Sequence, residues 1–268
     1  MRSYWSLCRQ HLRHYRLTTA IWLFIISMMA YAVAAMAPSV VEGNSLQVIL
    51  KSFGSVFQRL FGDVNAYRYP VDLFIQGKWL QFMPLLAGIF GAISAMGIMA
   101  RDIDHRTADF VLTLPVRRAK VLLARFAALA FNVGLLYAGS VTMLWLGLRQ
   151  AGLAGAYDGY VFFSLGHYFL TLFFAALTLF LSLVWEEYSL ANRYALLGVI
   201  GLYTLYLILK GVGAPHWSTW FSLSGLVDAE QVVGRGHFPW AAVLVGGLLT
   251  AISLWGSTAS MDKKQIPA

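Results

Sequence analysis

An all-α integral membrane protein with six transmembrane helices is the fold class this sequence predicts. Three observations carry it: the apolar content, the spacing of the uncharged stretches and the placement of the basic residues. Apolar residues make up 59% of the chain and charged residues 12%, with a mean hydropathy of +0.66, far from the composition of soluble domains. Long uncharged stretches run through most of the 268 residues and leave little for a separate soluble core. One membrane domain over residues 1–268 is therefore expected.

A membrane helix needs about twenty largely apolar residues. The stretches that qualify are 18–37, 79–100, 121–148 (uncharged from Phe126 onward), 160–184, 194–209 and 238–256. The fifth is short, and its end at Lys210 suits a long side chain reaching toward headgroups. The basic lead and apolar run at the N-terminus look like a signal peptide, but the run is too long and no Ala-x-Ala cleavage site follows it before Pro38. It is expected to remain as a membrane helix.

Basic residues gather in Arg2, Arg9, Arg13 and Arg16, in Arg101, Arg106, Arg117, Arg118 and Lys120, and in Arg193, Lys263 and Lys264. The positive-inside rule assigns these segments and both termini to the cytoplasmic side. The opposite loops hold Lys51, Arg59, Arg68, Lys78, Arg149, Lys210 and Arg235, offset by Glu42, Asp63, Asp72, Asp158, Asp228 and Glu230. A formal charge of +8 is explained by such anchors and by anionic lipid, not by nucleic acid. The single cysteine, Cys8, forms no internal disulfide and gives little support to redox chemistry.

Two further segments are amphipathic. Arg2, Arg9, Arg13 and Arg16 share one helical face and Trp5, Cys8, Leu12 and Tyr15 another, which predicts an N-terminal helix lying in the inner interface. Between the first two spans, Leu46, Ile49, Leu50, Phe53, Val56, Phe57, Leu60 and Phe61 recur at helical spacing. That stripe fits an outer interfacial helix or one packed on the bundle, because periodicity does not separate lipid from protein. The sequence shows no internal repeat or low-complexity linker.

The most informative segment is the basic connection after the second span, Arg101-Asp-Ile-Asp-His-Arg-Thr-Ala-Asp-Phe-Val-Leu-Thr-Leu-Pro-Val-Arg-Arg-Ala-Lys120. A charged cluster opens it and an amphipathic turn with Phe110, Val111, Leu112 and Leu114 follows. Pro115 then stops the turn before Arg117 and Arg118. A short helix projecting from the membrane is expected.

This segment resembles the cytoplasmic coupling helix of ABC-2 type permeases, with their acidic residue, Gly-Thr pair, Leu-rich turn, Ser-x-Pro and basic residues. Asp102, Thr107, Phe110, Val111, Leu112, Thr113, Pro115, Arg117 and Arg118 match. Asp102 stands where glutamate is common, Arg106 where glycine is common, and Arg125 where a lysine often begins the next span. The resemblance implies the membrane half of an ATP-driven ABC exporter in a bacterial cytoplasmic membrane. Two permease subunits, identical or homologous, sit side by side, and two copies of a cytoplasmic ABC ATPase grip their coupling helices. This chain has no Gly-x-x-x-x-Gly-Lys-Ser/Thr loop, so ATP and Mg belong to the partner and no cofactor is expected here. Under that reading Phe110, Leu112 and Leu114 fill an apolar groove in the ATPase, Asp102, Asp104, Arg106 and Asp109 set register, and Arg101, Thr107, Pro115, Arg117 and Arg118 complete the coupling segment. The resemblance also implies short re-entrant helices between spans five and six, where Trp217, Trp220 and Phe221 otherwise read as interfacial anchors.

Ionisable groups near membrane depth are Arg125, His167, Glu186 and Glu187. Arg125 and the two glutamates read as topological, and His167 as a hydrogen-bonded residue of the outer leaflet. Met28, Met29, Met36, Met83, Met96 and Met99 crowd the first two spans, but packing explains them more simply than a soft-metal path. Ala87, Gly91 and Ala95, with Gly88 and Ala92 beside them, predict close helix approach, and Pro84 a bend. An intramembrane enzyme would need an assembled catalytic group, and an ion-coupled carrier inverted repeats, broken helices and midplane acids; the sequence shows neither set of signs. A noncatalytic assembly factor built on the same architecture is the remaining alternative, separated from a transporter only by substrate flux.

Overall fold

The computed structural model describes residues 2–41, 59–60, 67–98, 118–184 and 188–263. Every regular element among them is helical. In chain order these are α1 (Arg2–Val41), α2 (Pro70–Ile75), a π-helical turn (Gln76–Leu80), α3 (Met83–Met96), α4 (Arg118–Gln150), α5 (Tyr157–Val184), α6 (Tyr188–Gly211), α7 (His216–Thr219) and α8 (Trp240–Lys263). Among the described residues six helical segments are long and apolar enough to cross a membrane: Trp5–Ser39, Pro70–Met96, Ala119–Gln150, Tyr157–Val184, Arg193–Gly211 and Trp240–Met261. The predicted count and order of spans are those of the structure.

The first helix departs from expectation. The N-terminal segment carrying Arg2, Trp5, Arg9, Arg13 and Arg16 is not a separate interfacial element but the opening turns of α1. No glycine or proline stands between Arg2 and Ala37, so nothing in the sequence breaks the helix at the membrane surface. Forty residues at about 1.5 Å each make a rod of about 60 Å, roughly twice the hydrocarbon thickness. Its amphipathic character holds: Arg9, Arg13 and Arg16 are exposed, whereas Cys8, His11 and Thr19 face the bundle.

The second span begins at Pro70, not Trp79, so Asp72 and Lys78 belong to the helix and not to an outer loop. Asp72, Gln76 and Lys78 lower the hydropathy there, yet Asp72 and Gln76 are buried against neighbouring helices. This span is also broken: residues 81–82 form a turn between the π-helical residues and α3, with Pro84 at the start of α3 supplying no N–H to bridge it.

The second, third and fourth spans are the most enclosed and the other three flank them. The most extensive helix pairs are α1 with α4 and α8 with α5. Small residues let the first pair approach. A Cβ on Gly147 would lie 2.6 Å from that of Ala34, one on Gly139 2.5 Å from Leu23 Cδ1, and Ala30, Ala34 and Ala37 are fully buried. The predicted small-residue seam of the second span does the same work, Gly91 meeting Thr171 on α5 and Gly88 meeting Val199 on α6. Large apolar side chains such as Leu197, Leu244, Leu248 and Trp255 stay exposed, as lipid-facing helices require.

Candidate functional site

Two places in this bundle concentrate polar side chains that its apolar packing does not need. The first is the base of the 99–117 connection. The Arg125 guanidinium on α4 donates a hydrogen bond to the backbone carbonyl of Ile98, just past the end of α3. A helix end leaves its last carbonyls unpaired and attracts positive charge, so the arginine satisfies a free acceptor and ties the two stems together. The start of α1 closes over this joint: Tyr15 stacks on His11 with ring centroids 4.6 Å apart, and its hydroxyl occupies the space a side chain at Gly97 would need. Gly97 is thus required by the approach of a third helix.

The second place lies at the opposite end, around the break in the second span. Trp79 Nε1 in the π-helical turn donates to Ser140 Oγ at 3.1 Å, fixing the turn on α4, and Tyr203 on α6 donates to the Gln81 carbonyl in the break. The break therefore has side-chain partners, the condition for irregular backbone inside a membrane protein. Beside it is a narrow cleft of about 20 Å³, room for a water molecule or two, lined by Gln76, Pro84, His167, Tyr203, Tyr206 and Ser224 among others. Gln76 is 4% exposed and its buried Oε1 has no hydrogen-bond partner among the described residues. An unmet buried polar atom costs about 1–3 kcal/mol, so Gln76 marks a site where stability is given up.

The connection between α6 and α8 forms one wall. It contains α7, two 3-10 turns (Trp220–Ser222 and Ser224–Leu226) and a π-helical turn (Glu230–Gly234). Val233 lies 2.8 Å from where a Cβ on Gly159 would sit, and Val227 lies at the same distance from one on Gly166. Those glycines are seven residues apart on α5, so this stretch descends about 10 Å along that helix. Ser224 reaches further, sharing a pocket with Thr171 and Phe174. At the bottom Leu223 has φ 61°, a conformation unfavourable for a branched side chain. Gly225 fits because any side chain there would strike the Thr219 backbone. Ser222 Oγ donates to the Thr219 carbonyl at 2.5 Å, so the reversal satisfies its own polar groups.

Charged groups hold the upper rim. Lys210 Nζ at the end of α6 bridges Asp228 at 2.7 Å and also reaches the Tyr206 hydroxyl at 3.3 Å. Arg235 bridges Glu230 at 2.9 Å. Tyr67 is buried near Asp228, Glu230 and Asp72, and burial followed by those carboxylates raises its phenol above the usual tyrosine range. Asp72 is fully buried. Its Oδ1 accepts hydrogen bonds from the Tyr160 hydroxyl and from the Ala156 N–H at 3.0 Å, while Oδ2 has no partner among the described residues.

Of the predicted site residues, Arg118 is the first residue of α4. Arg101, Asp102, Asp104, Arg106, Thr107, Asp109, Phe110, Leu112, Leu114, Pro115 and Arg117 lie outside the described residues, as do Glu186 and Glu187. Most of the 46–61 amphipathic stripe lies outside them too. At its end Arg59 donates to the Val212 carbonyl at 3.3 Å and Leu60 packs near Gly211, contacts with protein and not lipid. His167, expected to be hydrogen-bonded, makes no hydrogen bond among the described residues and packs on Phe163 with ring centroids 4.5 Å apart. Met99 lies outside the described residues, and the described methionines do not converge: Met28, Met29 and Met36 are exposed while Met83 and Met96 are in the core. Among the described residues no three His, Cys, Asp or Glu side chains come together as metal ligands.

Asp72 and Gln76 escape a sequence reading because hydropathy assigns polar residues to loops. Their i, i+4 spacing behind Pro70 is the available signal, since it puts both on one face of a helix.

No curated protein gives a significant match to the chain. The family described as ABC-2 family transporter protein matches residues 5–223, from the exposed start of α1 through five spans to the bottom of the dipping connection. With six apolar helices around an enclosed centre and a basic connection after the second, the chain belongs to the ABC-2 transporter family and is a multi-pass transmembrane permease.

Proposed function

We propose that this chain is the permease subunit of an ATP-driven exporter of amphiphilic or hydrophobic molecules. It works beside a second permease subunit, identical or homologous, and is driven by two copies of a separate cytoplasmic ATPase that binds ATP and Mg. The host membrane in this reading is a bacterial cytoplasmic membrane, with both termini and the 101–118 connection inside. Family membership supports the class, because ABC-2 membrane subunits generally act with such an ATPase.

The observation that carries the mechanical part is the Arg125–Ile98 hydrogen bond. Force applied to the 101–118 connection reaches α3 and α4 together, because their ends are tied. The break at residues 81–82 then lets the outer part of the second span move against its inner part. The cleft with Gln76 and His167 lies at that joint, and the dipping 216–234 connection, re-entrant from the outer side in this reading, forms its movable wall. In the connection itself, Phe110, Leu112 and Leu114 enter the ATPase while Asp102, Asp104, Arg106 and Asp109 orient it.

Purification of the tagged chain from its native host tests this reading. A stoichiometric Walker-motif ATPase is expected, with hydrolysis that the paired changes Phe110→Glu and Leu112→Glu uncouple from transport. A chain that emerges with no nucleotide-binding partner contradicts it.

A further inference from the structure

Asp72 and Gln76 stand one turn apart on the outer part of the second span, 0% and 4% exposed. Each keeps a buried oxygen, Oδ2 of the acid and Oε1 of the amide, that meets no donor among the described residues. The other carboxyl oxygen is fully engaged: Oδ1 accepts from the Tyr160 hydroxyl and from the Ala156 N–H. Two unmet acceptors on one helical face leave a place for a shared donor.

No cation pairs with Asp72 among the described residues. Lys210 is taken by Asp228 and Arg235 by Glu230. Arg149 at the end of α4 lies over the Trp145 ring and Arg68 over the Tyr69 ring. Lys78 is exposed, as is Asp158 at the start of α5, and α1 carries no charged residue from Ser27 to Val41. The titratable groups nearest the carboxyl are phenols, Tyr157 and Tyr160 on α5 and Tyr67 before α2. Tyr67 also feels the Asp228 and Glu230 carboxylates, and His167 and Tyr206 line the narrow cleft with Gln76. A buried carboxylate with no counter-charge loses more in hydration than a first-turn position on a helix returns, and such groups ordinarily neutralise.

We infer that Asp72 is a proton-binding site, its O–H on Oδ2 donating to Gln76 Oε1 directly or through one water of the adjoining cleft, and that this proton latches the outer end of the second span to α5. A carbonyl Oδ1 still accepts from both Tyr160 and Ala156, so one proton satisfies every atom of the group. Nothing larger fits. Asp72 lines neither cleft, the one beside Gln76 has room for a water or two, and a hard metal cation takes about six oxygen ligands where two are unmet here. Release breaks the Oδ2–H bond and passes the proton to water in the cleft. The carboxylate left behind faces an amide oxygen of like partial charge, which loosens Asp72 and its hold on the start of α5.

Infrared difference spectroscopy on the full chain in phosphatidylcholine nanodiscs, wild type minus Asp72→Asn, tests this and needs no partner ATPase. At pH 7, about three units above the titration of an exposed aspartate, the wild type should show the carbonyl stretch of a protonated carboxylic acid that the Asn variant lacks. Gln76→Leu removes the acceptor of the O–H and Tyr160→Phe the donor to Oδ1, so each should move that band to higher frequency. Raising the pH should abolish it. Asparagine imitates the protonated acid, its oxygen accepting and its N–H donating, so Asp72→Asn should keep the wild-type melting temperature at pH 7 while Asp72→Ala loses it. Should Asp72→Asn fail to fold, the shift in Tyr160→Phe assigns the band. An ionised Asp72 that accepts from a rotated Gln76 amide gives no acid band at pH 7 and overturns the inference. So does a band that Gln76→Leu and Tyr160→Phe both leave in place, or one that vanishes when sodium chloride replaces choline chloride, since a metal cation then holds the site.

Discussion

Arg125 on α4 donates its guanidinium N–H to the carbonyl of Ile98 at the end of the second span, so the two helices that flank the 99–117 connection are joined at their base. A charged loop between helices transmits force to both only if their ends move together. Arg125→Ala should leave folding nearly intact, at a cost of about 1 kcal/mol for a hydrogen bond within a helical membrane protein. ATP hydrolysis should persist while transport falls severalfold. Transport and hydrolysis measured on the same reconstituted complex check this; Arg125→Lys, which keeps a donor, should recover part of the lost coupling.

The Lys210–Asp228 pair fastens the end of α6 to the upward limb of the dipping connection, with both side chains mostly buried. Breaking one partner leaves an uncompensated charge, so Lys210→Met and Asp228→Asn should each lower stability by about 3 kcal/mol. The double variant should be less damaged than the sum of the two. A double-mutant cycle from thermal melts in one detergent reads the coupling, and strict additivity would show that the pair contributes none.

At the bottom of the same connection, Gly225 sits where any side chain would strike the Thr219 backbone and Leu223 holds φ 61°. Gly225→Val should prevent correct assembly of this reversal and expose it to protease. Leu223→Gly should relieve about 1 kcal/mol of backbone strain, offset by the apolar contact it removes. Limited proteolysis of the two variants, mapped to residues 216–234, distinguishes them.

Asp72 predicts a stability effect at a position that hydropathy treats as a loop. Asp72→Ala leaves the buried Tyr160 hydroxyl and the Ala156 N–H without their acceptor, at a cost of about 2–4 kcal/mol for two unmet groups. Tyr160→Phe removes one donor and should cost about 1 kcal/mol. Melting temperatures of the two variants should fall in that order.

The number of spans and their order are legible in the sequence because a run of about twenty apolar residues fits the thickness of a bilayer and little else. The seam of Gly88, Gly91 and Ala95 is legible for a similar reason, since small residues at helical spacing permit close contact. The start of the second span is not. Asp72, Gln76 and Lys78 look like loop residues to any hydropathy window, and only tertiary partners such as Tyr160 and Ala156 make the burial of Asp72 tolerable. The length of α1 is hidden for the opposite reason: its arginines signal a membrane surface, but charge alone does not interrupt a helix that lacks glycine and proline. The cleft itself is invisible in the sequence, because Gln76, His167, Tyr203 and Ser224 come from four parts of the chain. His167 stands out there as a polar residue at depth, yet the hydrogen bond expected of it is one the fold does not supply.

The central claim is that this permease is driven through its 101–118 connection by a separate ATPase, and one measurement tests it most directly. The complex is purified from its native host and ATP-driven export of a labelled amphiphile is followed in proteoliposomes, with wild type beside the Phe110→Glu, Leu112→Glu double variant. The account predicts export by the wild type that requires ATP and the co-purified ATPase, and loss of export in the double variant. Export that persists without ATP and follows an ion gradient, or that is unchanged in the double variant, would contradict it.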